Sequence, residues 1–206
     1  MGPSSSELLG PRDLAFDADP ERALACLADY APDDDEQRQT RDAIVRWVLE
    51  QPTPFERANL AGHLTASALL VTPDGRALLT HHRKLGRWLQ LGGHCDGDAN
   101  LAHVALREAI EESGIEELAI DPRIVDVDIH RIPARPATQA RAEEPAHDHL
   151  DCRFVVYAPE GAVERISDES LALGWFAIDE ALRLDLDRSL VRLFHTVLGD
   201  RRQRGA

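Results

Sequence analysis

The sequence LGGHCDGDANLAHVALREAIEESGI occupies residues 91–115 and is the most informative stretch of the chain. A Gly-Gly turn leads through an acidic loop into a predicted helix, which ends at Gly114, a typical helix stop. Glu111 and Glu112 follow Glu108 by three and four residues, so the three carboxylates project from one side of that helix. Such carboxylates repel one another, and a hard divalent cation such as Mg²⁺ or Mn²⁺ would relieve the repulsion. The spacing alone is equally typical of a solvated acidic face.

The overall charge excludes some classes of partner. The 206 residues carry a net charge of −14, which argues against a nucleic-acid polymer and against an anionic membrane surface. The three cysteines show no paired spacing, and the sequence has no apolar run long enough to span a membrane. We therefore expect reduced thiols and a cytoplasmic location.

The chain divides into four predicted segments. Residues 1–18 are expected to be flexible, and residues 19–58 to form a helical N-terminal extension, with helix starts at Asp19-Pro20 and in the run Asp33-Asp34-Asp35. Residues 59–200 are predicted to form the main domain, and residues 201–206 a loose tail. The extension could cap the core, shape a pocket or contact a second copy in a homodimer.

The main domain alternates strands and helices, which predicts an α/β fold. Residues 63–72 and 76–82 are strand candidates separated by a turn at Pro73-Asp74-Gly75. Residues 123–133 and the stretch after residue 146 predict further strands, and residues 187–198 an amphipathic helix.

A basic stretch precedes the acidic one. Lys84 and Arg87 lie just before Gly92-Gly93, and His94 follows. Positive groups beside an acidic helix are typical of a phosphate site, so these three residues are candidate substrate contacts. A solvated basic loop is an equally good interpretation of Lys84 and Arg87.

Residues 93–115 resemble the Nudix box, whose pattern is G-x5-E-x7-R-E-u-x-E-E-x-G-u, where u is apolar. The first glycine of the pattern is Gly93. Its second half matches at Arg107, Glu108, Ala109, Glu111, Glu112, Gly114 and Ile115. Ala99 stands where the pattern has its first glutamate.

The resemblance implies a Nudix-like α/β/α sandwich with a mixed sheet. It also implies metal-dependent hydrolysis of a small molecule in which a nucleoside diphosphate is linked to another moiety. Glu108, Glu111 and Glu112 correspond to metal-binding glutamates of that family, and a main-chain carbonyl at or beside Gly93 to a further ligand. Arg107 corresponds to a residue that orients the glutamates.

The sequence leaves more than one candidate for the general base. A carboxylate that metal does not fully engage could accept the proton of water, which favours Glu111 or Glu112. Glu143 or Glu144, in a long polar loop, is a weaker candidate.

Two features leave alternatives open. Ala99 could mark a non-hydrolysing nucleotide-binding regulatory module. His147 and His149 alternate on one strand and, with His94, could form a second, transition-metal site used by a different Nudix-fold enzyme, although structural histidines are the commoner case.

Overall fold

Two helices begin the fold, as the sequence predicts. This computed structural model describes residues 8–137, 143–166 and 170–199. Helix α1 spans Pro20–Asp29 and α2 spans Asp35–Glu50. The carboxylates of Asp19 and Asp34 accept backbone hydrogen bonds from the first turns of these helices, which satisfies amide groups that have no partner inside the helix.

The described residues form seven strands in one sheet. The strands are β1 Gly62–Val71, β2 Ala77–His82, β3 Trp88–Leu89, β4 Leu91–His94, β5 Ala119–Ile132, β6 His147–Tyr157 and β7 Ser170–Phe176. Their order is β3-β2-β1-β6-β5, with β4 also paired to β1 and β7 to β2. The β1–β6 pair is parallel and its neighbours are antiparallel, so the predicted mixed sheet is confirmed.

Helices cover both faces of the sheet. The remaining helices are α3 Leu101–Ser113, α4 Ile178–Ala181 and α5 Arg188–Phe194, which continues into a π-helical turn. Leu64 and Ala66 of β1 belong to an apolar cluster with α1, α2 and α3, whereas Leu69 and Val71 belong to a second cluster with α4 and α5. The predicted α/β/α sandwich is therefore confirmed. None of the helices in the described ranges is long and apolar enough to cross a membrane.

Gln37 fixes the helical extension to the sheet. Its side chain donates to the carbonyl of Val127 and accepts from the Val127 N–H, both at 3.0 Å, and the Tyr30 hydroxyl donates to it at 2.9 Å. Val127 lies in β5, at the edge of the sheet and after a register irregularity. The side-chain amide supplies hydrogen-bond partners that a neighbouring strand would otherwise provide. The extension thus caps the core.

The segment before α1 differs from the expectation of a flexible N-terminus. Leu9 exchanges two backbone hydrogen bonds with Ile120, at 2.9 and 2.8 Å, and Leu14 is buried. The carbonyl of Ala15 accepts a hydrogen bond from the Asn100 side chain at 2.9 Å. Residues 9–17 therefore pack on β5 and on the loop before α3, and their sequence, which lacks periodicity, does not predict these contacts. Residues 1–7 and the predicted tail 201–206 lie outside the described residues.

A buried arginine joins β6 to its neighbours. Arg153 donates to the carboxylates of Asp151 at 2.9 Å and Asp126 at 3.2 Å, and to Ser189 of α5 at 3.0 Å. Asp151 also accepts from the hydroxyls of Thr65 and Ser67 on β1. Asp151 shares its sheet face with His149, as the alternation predicts, but its oxygens are engaged in this ion network.

Candidate active site

The strand β4 ends beside α3. Gly93 pairs with Ala66 and His94 with Thr65 of β1. A Cβ atom on Gly93 would lie 2.4 Å from the carboxylate carbon of Glu108, so the end of that side chain would have to move. Glycine at this position therefore leaves room for the Glu108 carboxylate to approach the strand backbone.

The glutamates of α3 contact the Gly-Gly turn and one arginine. Glu108 lies 2.7 Å from a guanidinium nitrogen of Arg107, and Glu111 lies 3.7 Å from the same nitrogen. Glu112 accepts the backbone N–H of Gly92 at 3.0 Å. Arg107 also donates to the carbonyl of His94 at 3.0 Å. The orienting role that the resemblance implies for Arg107 stays a prediction.

The Glu108 carboxyl lies in a partly buried position that disfavours its ionised form. Its side chain is 15% exposed, against 60% for Glu111. Burial raises the pKa of Glu108, Arg107 opposes that effect, and the charge of Glu111 adds to it. A nearby cation would stabilise the ionised form. Carboxylate and carbonyl oxygens are the ligands that Mg²⁺ and Mn²⁺ prefer, so these residues fit the implied metal.

The N-terminal segment accounts for the departure at Ala99. Ala99 is fully buried, and its N–H donates to the carbonyl of Asp17 at 2.6 Å. Asp98, also buried, accepts from the Asp17 N–H and lies 2.6 Å from Nδ1 of His103. Asp96 is paired with Arg57. The aspartates next to Ala99 are therefore engaged elsewhere and do not replace the missing glutamate.

Four histidines form a cluster on the other side of β4. The imidazole ring of His63 contacts three others. The ring centroids are 5.0 Å apart for His63 and His94, 5.0 Å for His63 and His147, and 4.9 Å for His63 and His149. Burial lowers the pKa of His94 to about 4 and that of His149 to about 2, and it also lowers the pKa of His63. The predicted grouping of His94, His147 and His149 is thus present, within a larger cluster.

His63 is the site residue that the sequence interpretation missed. It lies on β1, which is remote from β6 in sequence, and the parallel register places it opposite His149. One feature of the sequence could have indicated it. His63 stands at the start of a predicted strand, and that strand could pair with the strand that carries His147 and His149.

The other predicted site residues lie in loops outside β4 and α3. Lys84 and Arg87 occupy an exposed turn between β2 and β3, and Arg87 interacts electrostatically with Asp187 before α5. Glu143 is exposed, whereas Glu144 pairs with an arginine of its own loop and lies 3.9 Å from His147. The substrate-binding roles of Lys84 and Arg87 stay predictions.

Comparison with known proteins identifies the family. Residues 62–197 match the family model described as NUDIX domain. A comparison with curated proteins finds no match. Among solved structures, a C. elegans Ap4A hydrolase is 15% identical, with a TM-score of 0.51 and coverage of 69% of this chain and 98% of that one. The E. coli dihydroneopterin triphosphate pyrophosphohydrolase is 17% identical, with a TM-score of 0.51 and coverage of 66% and 95%.

These two likenesses show the fold, and the family match covers well over half of the chain. The matched range begins with β1 and contains β4, α3 and every glutamate of the Nudix box. The chain therefore belongs to the NUDIX domain family.

Proposed function

We propose that this protein is a Nudix-type diphosphate hydrolase that requires Mg²⁺ or Mn²⁺ and cleaves a phosphoanhydride bond in a nucleoside diphosphate linked to another moiety. One observation carries the proposal. Glu108 lies against Gly93 while Glu112 accepts the N–H of Gly92, so two carboxylates of α3 converge on the Gly92-Gly93 backbone of β4. Family membership supports it.

The metal ligands in this proposal are Glu108, Glu111, Glu112 and the main-chain carbonyl at Gly93. When bound, the cation neutralises diphosphate oxygens and lowers the pKa of water. Arg107 keeps Glu108 and Glu111 in place through its guanidinium group. We assign proton acceptance to Glu111 because it is the more exposed carboxylate, whereas Glu112 is held by the Gly92 amide.

In this proposal the substrate is a small molecule that contains a diphosphate, and the enzyme is cytoplasmic. Lys84, Arg87 and His94 are the proposed contacts to its phosphates. A homodimer is compatible with this arrangement. Ap4A and dihydroneopterin triphosphate, which appear in the names of the two similar structures, belong in a first panel with nucleotide sugars, ADP-ribose and nucleoside triphosphates.

Turnover of this panel with Mg²⁺ and Mn²⁺ tests the proposal. We expect two phosphorylated products, and a loss of kcat of about 100-fold or more in Glu111→Gln and Glu112→Gln, because each removes a carboxylate that would hold the cation and, at Glu111, the proton acceptor. Glu117→Gln, an exposed position beyond α3, is the matched control and should turn over normally. Unchanged turnover in the first two variants would show that the assigned roles are wrong.

A non-hydrolysing nucleotide-binding module is the second candidate. The burial of Ala99 under residues of the N-terminal segment favours it, because this chain lacks one carboxylate of the box. Tight nucleotide binding without product formation, measured by calorimetry and by analysis of the mixture, would select this candidate.

A further inference from the structure

The histidine cluster contains a set of nitrogen atoms that is separate from the glutamates of α3. One ring nitrogen from each of His63, His147 and His149 lies within 4.8 Å of the other two. Nε2 of His147 and Nε2 of His149 are 3.3 Å apart. Two nitrogens bound tetrahedrally to Zn²⁺ at about 2.0–2.1 Å lie about 3.4 Å from each other, so this pair already has the separation that a metal requires.

Hydrogen bonds fix the proton positions on two of these rings. Nδ1 of His147 lies 3.0 Å from the carbonyl of Pro145, and Nδ1 of His63 lies 3.4 Å from the carbonyl of Asn59. A carbonyl only accepts, so Nδ1 carries the hydrogen on both neutral rings and Nε2 carries a lone pair. A ring N–H donated to a backbone carbonyl is the usual arrangement behind a metal-binding histidine.

The lone pair of His63 is otherwise unused. His63 is 2% exposed, and among the described residues its Nε2 has no hydrogen-bond partner. A buried polar nitrogen without a partner is costly. Because a ring nitrogen of His63 lies within 4.8 Å of ring nitrogens of His147 and His149, a cation or a proton donor bound among the three rings would remove this cost.

We propose that His63, His147 and His149 bind a transition-metal cation of the Zn²⁺ type. Neutral imidazole suits Zn²⁺ rather than Mg²⁺. Three protein nitrogens leave a fourth coordination position, and a carboxylate oxygen of Glu144 lies 3.9 Å from Nε2 of His147. The site differs from the sequence prediction because His63 takes the place of His94, whose ring packs against the set. It lies beyond the proposed hydrolase function and does not depend on it.

Zn²⁺ titration of the chelator-stripped full chain tests this site. We expect one equivalent to bind tightly, by competition with a chromogenic chelator. His63→Gln and His149→Gln should each weaken binding at least 100-fold. His130→Gln is the matched control: its ring also touches His149, but its Nδ1 faces Asp128. Binding that survives both ligand variants, or that falls equally in the control, would overturn the proposal.

Two further measurements separate this site from the hydrolase centre and from folding defects. Nitrogen NMR of the unmodified protein should show Zn²⁺ shifting the Nε2 signals of three imidazoles, and absence of those shifts would contradict the site without any variant. The Glu108→Gln/Glu112→Gln double variant should keep Zn²⁺ affinity whether or not it retains turnover. Loss of Zn²⁺ binding in that variant would place the cation at the glutamates instead.

Discussion

Gly93 shows how one missing side chain shapes the candidate active site. Its hydrogen leaves the space that the Glu108 carboxylate fills, and a methyl group would meet that carboxylate at 2.4 Å. We expect Gly93→Ala to displace Glu108 and to lower kcat by about 100-fold, since a shift of an ångström can cost this much. Steady-state kinetics and thermal unfolding measure the two effects separately.

Gly10→Ala is the control for that substitution. A Cβ at Gly10 would meet only Asp13, at 3.6 Å, which is ordinary contact. The variant should keep full activity. Normal activity in Gly93→Ala would show that the close approach of Glu108 is not needed for turnover.

At Ala99, restoring the glutamate of the Nudix box should lower the stability of the fold. It is fully buried beneath the N-terminal segment. Ala99→Glu would bury a carboxylate without a cationic partner, and we expect it to destabilise the fold by about 3 kcal/mol. Urea unfolding measures the loss. Ala99→Gln, of similar size and without charge, should cost less; equal losses would assign the effect to volume rather than charge.

At the scale of elements, three strands assemble the histidine cluster. β1 contributes His63, β4 contributes His94, and β6 contributes His147 and His149. Period-two alternation predicts that His147 and His149 share a face, and the structure confirms this. The parallel pairing of β1 with β6 depends on contacts remote in sequence, so no local pattern predicts His63.

The contrast between local signals and contacts remote in sequence also decides which other elements could be predicted. α3 could be predicted because its cap, apolar side and Gly114 stop are all local signals. The docking of residues 9–17 could not, because it rests on backbone hydrogen bonds to Ile120 and Ala99 that leave no mark in composition. Local periodicity predicts elements, whereas their partners are decided by the tertiary fold.

The cluster also makes a prediction about pH. The pKa values of His63, His94 and His149 are lowered by burial, to about 4 for His94 and about 2 for His149. Below pH about 6.5 the unfolded chain takes up protons on these residues and the folded chain does not, so stability falls as pH decreases. We expect a loss of up to about 1.4 kcal/mol per pH unit for each histidine, measured by urea unfolding with a chelator present.

Variants assign this loss to particular rings. His149→Gln removes one of these histidines. In this variant the free energy of unfolding should fall less steeply as the pH is lowered from 6.5 towards the pH at which the protein unfolds in acid. His195→Gln, at an exposed position, should leave the dependence unchanged. Equal slopes in the wild type and His149→Gln would mean that His149 is not held neutral by burial.

At the scale of the whole molecule, charge is distributed unevenly. The net charge of −14 is an excess of carboxylates, and some of them are paired with the buried Arg153 and the partly buried Arg192. In α3, Arg107 contacts Glu108 and Glu111 together, so one positive charge faces two carboxylates. The repulsion among the three α3 glutamates should therefore be reduced by bound cations more strongly than the repulsion among carboxylates elsewhere on the surface.

This difference predicts a stabilisation specific to divalent metal. NaCl screens all exposed carboxylates weakly, whereas Mg²⁺ bound at the α3 glutamates adds about 2.7 kcal/mol at a hundredfold excess over its dissociation constant. Thermal unfolding in MgCl₂ and in NaCl of equal ionic strength should differ by that amount. Glu108→Gln/Glu112→Gln should abolish the difference and keep the NaCl response, while His63→Gln should keep both. If MgCl₂ and NaCl stabilise the wild type equally, the glutamates form a solvated acidic face, because a site that binds no Mg²⁺ in the folded state cannot shift the unfolding equilibrium.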